Sequence, residues 1–192
     1  MKLRQTWTAI RALVIFSCVL GLAYPLAVLG IGQAALPAQA NGSLLEVDGA
    51  VVGSSLIGQS FPDAAGAASP EWFQSRPSAT GYDGGASSGS NLGPGNVDLL
   101  AALADRRAAI ESLDGARDIP ADALTASASG LDPHISPEYA LLQVPRVAEA
   151  RGLDEQAVRE LVESMIQGRD PGFLGEPTVN VLRLNIALAG MD

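Results

Sequence analysis

His134 is the sole histidine of the 192-residue chain. It stands in Asp132-Pro133-His134-Ile135-Ser136-Pro137, with an acid two residues before it and a serine two residues after. These are the residue types of a hydrolytic triad, in which imidazole takes the serine proton and a carboxylate holds the imidazole in place. Prolines on both sides of the serine also make the segment a rigid turn leading into a helix cap, and no G-x-S-x-G elbow occurs. The structural reading of His134 is preferred, and a membrane-anchored hydrolase using His134, Asp132 and a serine is the alternative. A second polar group, Gln143, Arg146 and Arg151, surrounds Pro145. A guanidinium is a planar fork of donors suited to phosphate or carboxylate. Arg146 is therefore a candidate partner contact, or else a bridge to an acid of its own domain. One histidine and one cysteine are too few for a zinc site, and the sequence has no D-x-[DN]-x-[DN]-G calcium loop. No phosphate-binding G-x-x-x-x-G-K-[ST] loop is present either, and no lysine follows Lys2. The expectation is no catalytic residue and no metal.

Charge narrows the partners. Beyond the first 36 residues, nine arginines face all 21 acids, a formal charge of −12. Such a surface repels nucleic acid and anionic lipid headgroups and attracts cations.

The residues that carry these groups follow a membrane segment. Ala12 to Gly32 is free of charge, and as a helix it is on the order of 30 Å long, the thickness of a bilayer's hydrocarbon core. Lys2, Arg4 and Arg11 precede it, and positive flanks stay cytoplasmic. The expected layout is a cytoplasmic N-terminus at 1–11, a transmembrane helix at 12–32, a linker at 33–43 and an extracytoplasmic domain at 44–192. Ala38-Gln39-Ala40 has the form of a signal-peptidase site, but signal h-regions run roughly 7–15 residues, so an uncleaved anchor is preferred. A buried core helix would show a polar stripe, and none is present. Small residues let membrane helices approach closely, so Ser17 and Gly21, with Pro25 nearby, are candidate contacts for a partner helix. Pro25 removes one backbone bond and frees the carbonyl of Gly21. Cys18, the only cysteine, lies in the same run and rules out a disulfide within the chain.

The remainder reads as one α+β domain, an early β-hairpin followed by helices. Asp48-Gly49 between β-prone runs is a type I′ hairpin signal. Ser54 to Phe61 prolongs the second strand or crosses to another. Pro70 to Phe73 reads as one helical turn seating two aromatics on the core. Residues 78–96 form a long Gly/Ser-rich loop, either a flexible linker or functional. Val97, Leu100, Leu103, Ile110 and Leu113 recur at helical spacing between an Asn96 cap and a Gly115 stop. Ser136-Pro137-Glu138 opens a further helix that Pro145 is expected to break into two, 137–144 and 145–151. Asp154 to Ile166 forms another, with Leu153, Ala157, Leu161, Val162 and Met165 on its buried side. Val179 to Leu188 suits strand or helix.

Several motifs, taken in order, resemble the C subunit of the Kdp potassium-transporting P-type ATPase. They are Arg76-Pro77-Ser78-Ala79, Ser90-Asn91-Leu92-Gly93-Pro94, the stretch from Leu124 to Pro137, Gln143-Val144-Pro145-Arg146-Val147-Ala148, Arg151-Gly152-Leu153, and Gly175-Glu176-Pro177 to Asn185. The anchor fits too, so the resemblance covers nearly the whole chain. It implies an accessory, non-catalytic subunit of a four-part complex in the bacterial inner membrane. The partners would be a channel-like potassium-selecting subunit, a P-type subunit that hydrolyses ATP, and a very small membrane peptide. Potassium would be the transported ion, and ATP would be held by the catalytic partner. The family member is needed for assembly and is described as a catalytic chaperone that raises ATP affinity. Gln143 matches a glutamine for which ATP contact has been proposed, and Asn91 and Arg146 are further candidate partner contacts. An exterior domain cannot reach cytoplasmic ATP, so an indirect effect is expected. The favoured placement caps the potassium entrance of the channel subunit, where the acidic surface would enrich the ion. An anchored domain with an unrelated partner is the plainest alternative.

Overall fold

The structure is a computed structural model that describes residues 2–191. The chain separates into two compact units, Met1–Leu44 and Leu45–Asp192. In the first, α1 (Lys2–Cys18), a π-helical turn (Val19–Ala23) and α2 (Tyr24–Ala35) follow one another without a break. Together they supply one helix, Leu3–Ala35, of 33 residues that is long and apolar enough to cross a membrane. It extends past the uncharged run at both ends. The π turn lies directly before Pro25, and Tyr24 N–H reaches back five residues to the Val19 carbonyl. Widening one turn is how a helix accommodates a proline that lacks an N–H and crowds the carbonyl four residues earlier. Arg11 lies over the Trp7 ring, 5.2 Å from its centroid. Leu36, held out of the helical region because a proline follows it, separates α2 from the short α3 (Pro37–Ala40).

The second unit opens with the hairpin read from Asp-Gly. β1 (Leu44–Val47) pairs with β2 (Ala50–Ser54), and Asp48 and Gly49 both have positive φ, 52° and 77°, as a type I′ turn requires. The second strand stops at Ser54. From Ser55 to Asn96 the backbone is irregular, and the helical turn expected at Pro70–Phe73 is a non-helical one. Phe73 is fully buried all the same, and Trp72 packs partly buried against Phe61, ring centroids 6.4 Å apart.

This irregular stretch enters the core without a strand partner, so side-chain amides take a strand's role. Asn185 accepts from Phe73 N–H at 3.0 Å and donates to the Phe73 carbonyl at 2.9 Å. Gln143 does the same for Gln74, at 2.6 and 3.1 Å. Asn180 donates to the Ser55 carbonyl at 2.9 Å. A buried backbone group left unpaired costs about 1–3 kcal/mol, and each of these amides removes such a deficit.

The helices frame the core. α4 (Val97–Asp114) is capped by Asn96 and stopped by Gly115 in the left-handed region. Only Ile110 of its expected apolar set is buried, while Val97 and Leu100 stay exposed, because no other element covers the start of this helix. A short α5 (Ala121–Leu124) follows. β3 (His134–Ile135) pairs antiparallel with β4 (Val179–Asn180), His134 facing Asn180. α6 (Pro137–Arg151) is continuous, which corrects the expected break at Pro145. Pro145 sits on the exposed side, and burial of Ala140, Gln143 and Val147 on the opposite side holds the helix together despite the lost bond. α7 (Glu155–Ser164), capped by Asp154, buries Val158 as well as Val162. The ambiguous tail is both things in turn, β4 and then α8 (Val181–Ala189), with Asn180 capping the helix.

Candidate functional site

Two of the sequence-predicted residues meet in a buried clamp. Ser136 caps α6, accepting from Tyr139 N–H at 3.1 Å, and Asp122 fixes that cap by accepting from Ser136 N–H and Oγ at 2.7 and 2.9 Å. One turn and more along, Gln143 is wholly buried. Its Oε1 accepts from Arg146 Nη2 at 2.7 Å as well as from Gln74. Arg146 Nε donates to Asp114 Oδ1 at 2.6 Å, and the two side chains are only 6% and 2% exposed. Arg146 Nη1 serves the carbonyls of Ser69, Pro70 and Trp72 at 3.3, 2.6 and 3.0 Å. Arg146 therefore bridges to an acid of its own domain and faces inward, and the Gln143 amide is engaged within the chain. Burial pushes the Asp114 carboxyl above its ordinary range, and the charge and hydrogen bond of Arg146 pull it part of the way back.

The motif that contains His134 lines an open groove of about 1060 Å³. Segments 116–122, 132–142 and 176–178 supply most of its walls. The charges along it are Asp118, Asp122, Asp132, Glu138 and Glu176 against Arg76 and Arg117. His134 Nδ1 lies 3.6 Å from Asp132 Oδ1, whose other oxygen accepts from Arg76 Nη1 at 2.9 Å. Burial alone would raise the Asp132 pKa. Hydrogen bonds from the His134 side chain and backbone and from Arg76, with the Arg76 charge, outweigh it and hold the carboxyl below its ordinary value. Asp132 and His134 are thus side by side, as a triad would want. The Ser136 hydroxyl, however, is committed to the helix cap and to Asp122. No group of three or more metal-ligating side chains occurs among the described residues.

The other candidates lie elsewhere. Asn91 is exposed in the 78–96 loop with φ at +53°. That loop is tied down on one side: Ser78 Oγ donates to the Gly130 carbonyl at 2.6 Å, Ser87 Oγ to that of Ser129 at 3.0 Å, and the Tyr82 hydroxyl to that of Arg76. Burial pushes Tyr82 up to about 12. Gly130 has positive φ, and a Cβ there would lie 2.5 Å from Thr80 Oγ1 and 2.7 Å from the Ser88 carbonyl, so only glycine fits. Ser17, Gly21 and Pro25 are exposed on the apolar helix. Sequence reasoning missed Asp114, Asp122, Asn180 and Asn185. None sits in a motif with a chemical signature, and each has a partner more than ten residues away.

Residues 6–190 match the family described as KdpC: K+-transporting ATPase, c chain. The chain belongs to this family. A potassium-transporting ATPase KdpC subunit from Kineococcus radiotolerans is 55% identical over 190 residues, 97% of this chain and 93% of its own length. One from Caulobacter vibrioides is 55% identical over 177 residues, 91% and 87% of the two chains, and one from Mycobacterium tuberculosis is 50% identical over 190 residues, 96% and 97%. Several of the motifs that carry the resemblance come together: Gln143 and Arg146 at the clamp, and Arg76, Asp132, His134, Ser136, Glu176 and Thr178 along the groove.

Removing Arg146 would strand the Asp114 carboxylate in the core. Arg146→Met is expected to destabilise the domain by about 3–5 kcal/mol, and Asp114→Leu added to it to restore part of that. Thermal melting of the full chain in detergent checks both. Asp132, with its folded-state pKa lowered, contributes stability that is complete above its ordinary value of 3.8 and is lost as pH falls through the folded value. Asp132→Asn should therefore lower the melting temperature at pH 6, and the two proteins should converge only once pH falls below the folded-state value, which lies under 3.8.

Proposed function

We propose that the chain is the assembly subunit of an ATP-driven potassium uptake complex, anchored by its N-terminal helix with the acidic domain on the extracytoplasmic side of a bacterial inner membrane. Membership of the KdpC family over residues 6–190 carries this reading. The apolar Leu3–Ala35 helix and the basic residues at its start support the anchor and its direction. The subunit binds the channel-like, ATP-hydrolysing and small membrane subunits, with Ser17, Gly21 and Pro25 on the helix and Asn91 on the domain among its contacts. It raises the ATP affinity of the catalytic subunit indirectly, through the anchor and the shared complex. The engagement of Gln143 with Gln74 and Arg146 favours a positioning role for this residue over contact with nucleotide.

Sidedness decides between the direct and indirect routes. Ser90→Cys in a Cys18→Ala background is expected to react with a membrane-impermeant thiol reagent on intact spheroplasts. Labelling that appears only after lysis would place the domain in the cytoplasm and overturn the reading.

In this arrangement the domain lies over the potassium entrance, and its acids raise the local cation concentration. Within about 8 Å such a field survives physiological ionic strength. Neutralising Asp118, Glu138 and Glu176 together should weaken the apparent potassium affinity of the assembled complex about threefold at low ionic strength and little at high. An unchanged affinity in dilute buffer would remove the steering role.

A further inference from the structure

A second cavity, about 460 Å³, opens where α4 meets α6, and Arg106, Ala109, Ile110, Leu113, Asp114 and Tyr139 contribute to its lining. One polar group there lacks a hydrogen-bond partner and one cation lacks a carboxylate among the described residues. Tyr139 is only 4% exposed, yet its hydroxyl makes no hydrogen bond among the described residues. That oxygen is also absent from the atoms sealed off from the surface without a partner, which include Ser127 Oγ. It therefore opens onto the cavity its residue lines. Arg106 gives Nη1 to the Leu124 carbonyl at 2.8 Å and has no carboxylate partner among the described residues, in a domain where 21 acids outnumber nine arginines. Asp114 also lines the cavity, and its Oδ1 is paired with Arg146 at 2.6 Å. A mostly apolar cavity with a few convergent donors is the usual form of a small-ligand site, and the volume is within the range such sites show.

We propose that this cavity binds a small organic carboxylate, with Arg106 and the Tyr139 hydroxyl receiving the carboxylate and Ala109, Ile110 and Leu113 the apolar body. A neutral ligand would leave the Arg106 charge unmatched, and a cation would meet it in repulsion. The carboxylate belongs either to a free small molecule or to an acidic side chain or terminus of a neighbouring subunit, and the two share the same recognition chemistry.

Para-fluorobenzoate, followed by fluorine NMR line broadening on the full chain in detergent, tests the site. Saturable binding is expected, absent in Ala109→Trp, weakened about tenfold or more in Arg106→Gln, and weakened several-fold in Tyr139→Phe. Because the Tyr139 hydroxyl has no partner within the chain, Tyr139→Phe should leave the melting temperature in place, whereas a structural hydroxyl would lower it. Binding to both the lone chain and the assembled complex identifies a free carboxylate, and binding to the lone chain only identifies a group supplied by a neighbouring subunit. The site is overturned if para-fluorobenzoate shows no saturable binding to the lone chain, if Ala109→Trp binds it equally well, or if uncharged para-fluorobenzyl alcohol binds as tightly.

Discussion

A long irregular segment must pass through the core of this domain with its backbone satisfied, and the rest of the architecture answers to that constraint. Phe73 is fully buried, yet no strand lies beside it to pair its N–H and carbonyl. The amides of Asn185, Gln143 and Asn180 and the guanidinium of Arg146 supply the missing partners. These four side chains come from α6, β4 and α8, so the requirement ties together elements remote in sequence. It also explains why polar residues are kept in the interior of helices whose other inward positions are Val, Leu, Ala and Tyr. An apolar replacement would fill the space but leave the segment's amides and carbonyls without water or protein to bond.

The same constraint governs where charge is kept. In a domain with a large acid surplus, Arg146 is committed to the interior, matched there by Asp114. Burying a guanidinium and a carboxylate together carries a large desolvation cost, which geometry must offset. Here Arg146 engages Asp114, Gln143 and three carbonyls. The remaining acids lie mostly on the outside, and five of them line the groove beside His134. The result is an interior in which the Arg146 and Asp114 charges are paired, beneath an unbalanced negative exterior.

At His134 the residue types of a triad are present, and the structure shows how each is engaged. Asp132 and His134 do approach each other, but Ser136 is the cap of α6, and its hydroxyl is held by Asp122. Asp132 in turn is occupied by Arg76. The group shapes the junction between β3 and α6, and that junction forms one wall of the groove.

Much of the fold was legible because it depends on local chemistry. The apolar run, the Asp48-Gly49 turn, the Asn96 and Ser136 caps and the Gly115 stop each act within a few residues, so the sequence by itself determined the membrane-compatible helix, the hairpin and most helix ends. It also determined the family, through motifs spread along nearly the whole chain. Only the tertiary structure decided that α6 runs through Pro145, that Gln143 and Arg146 point inward, that Val97 and Leu100 remain uncovered, and that Asp114 and Asn185 matter. The reason is physical. A proline's penalty is overruled by burial on the far side of the helix, and a polar side chain's role is set by whichever distant backbone group would otherwise be left unbonded.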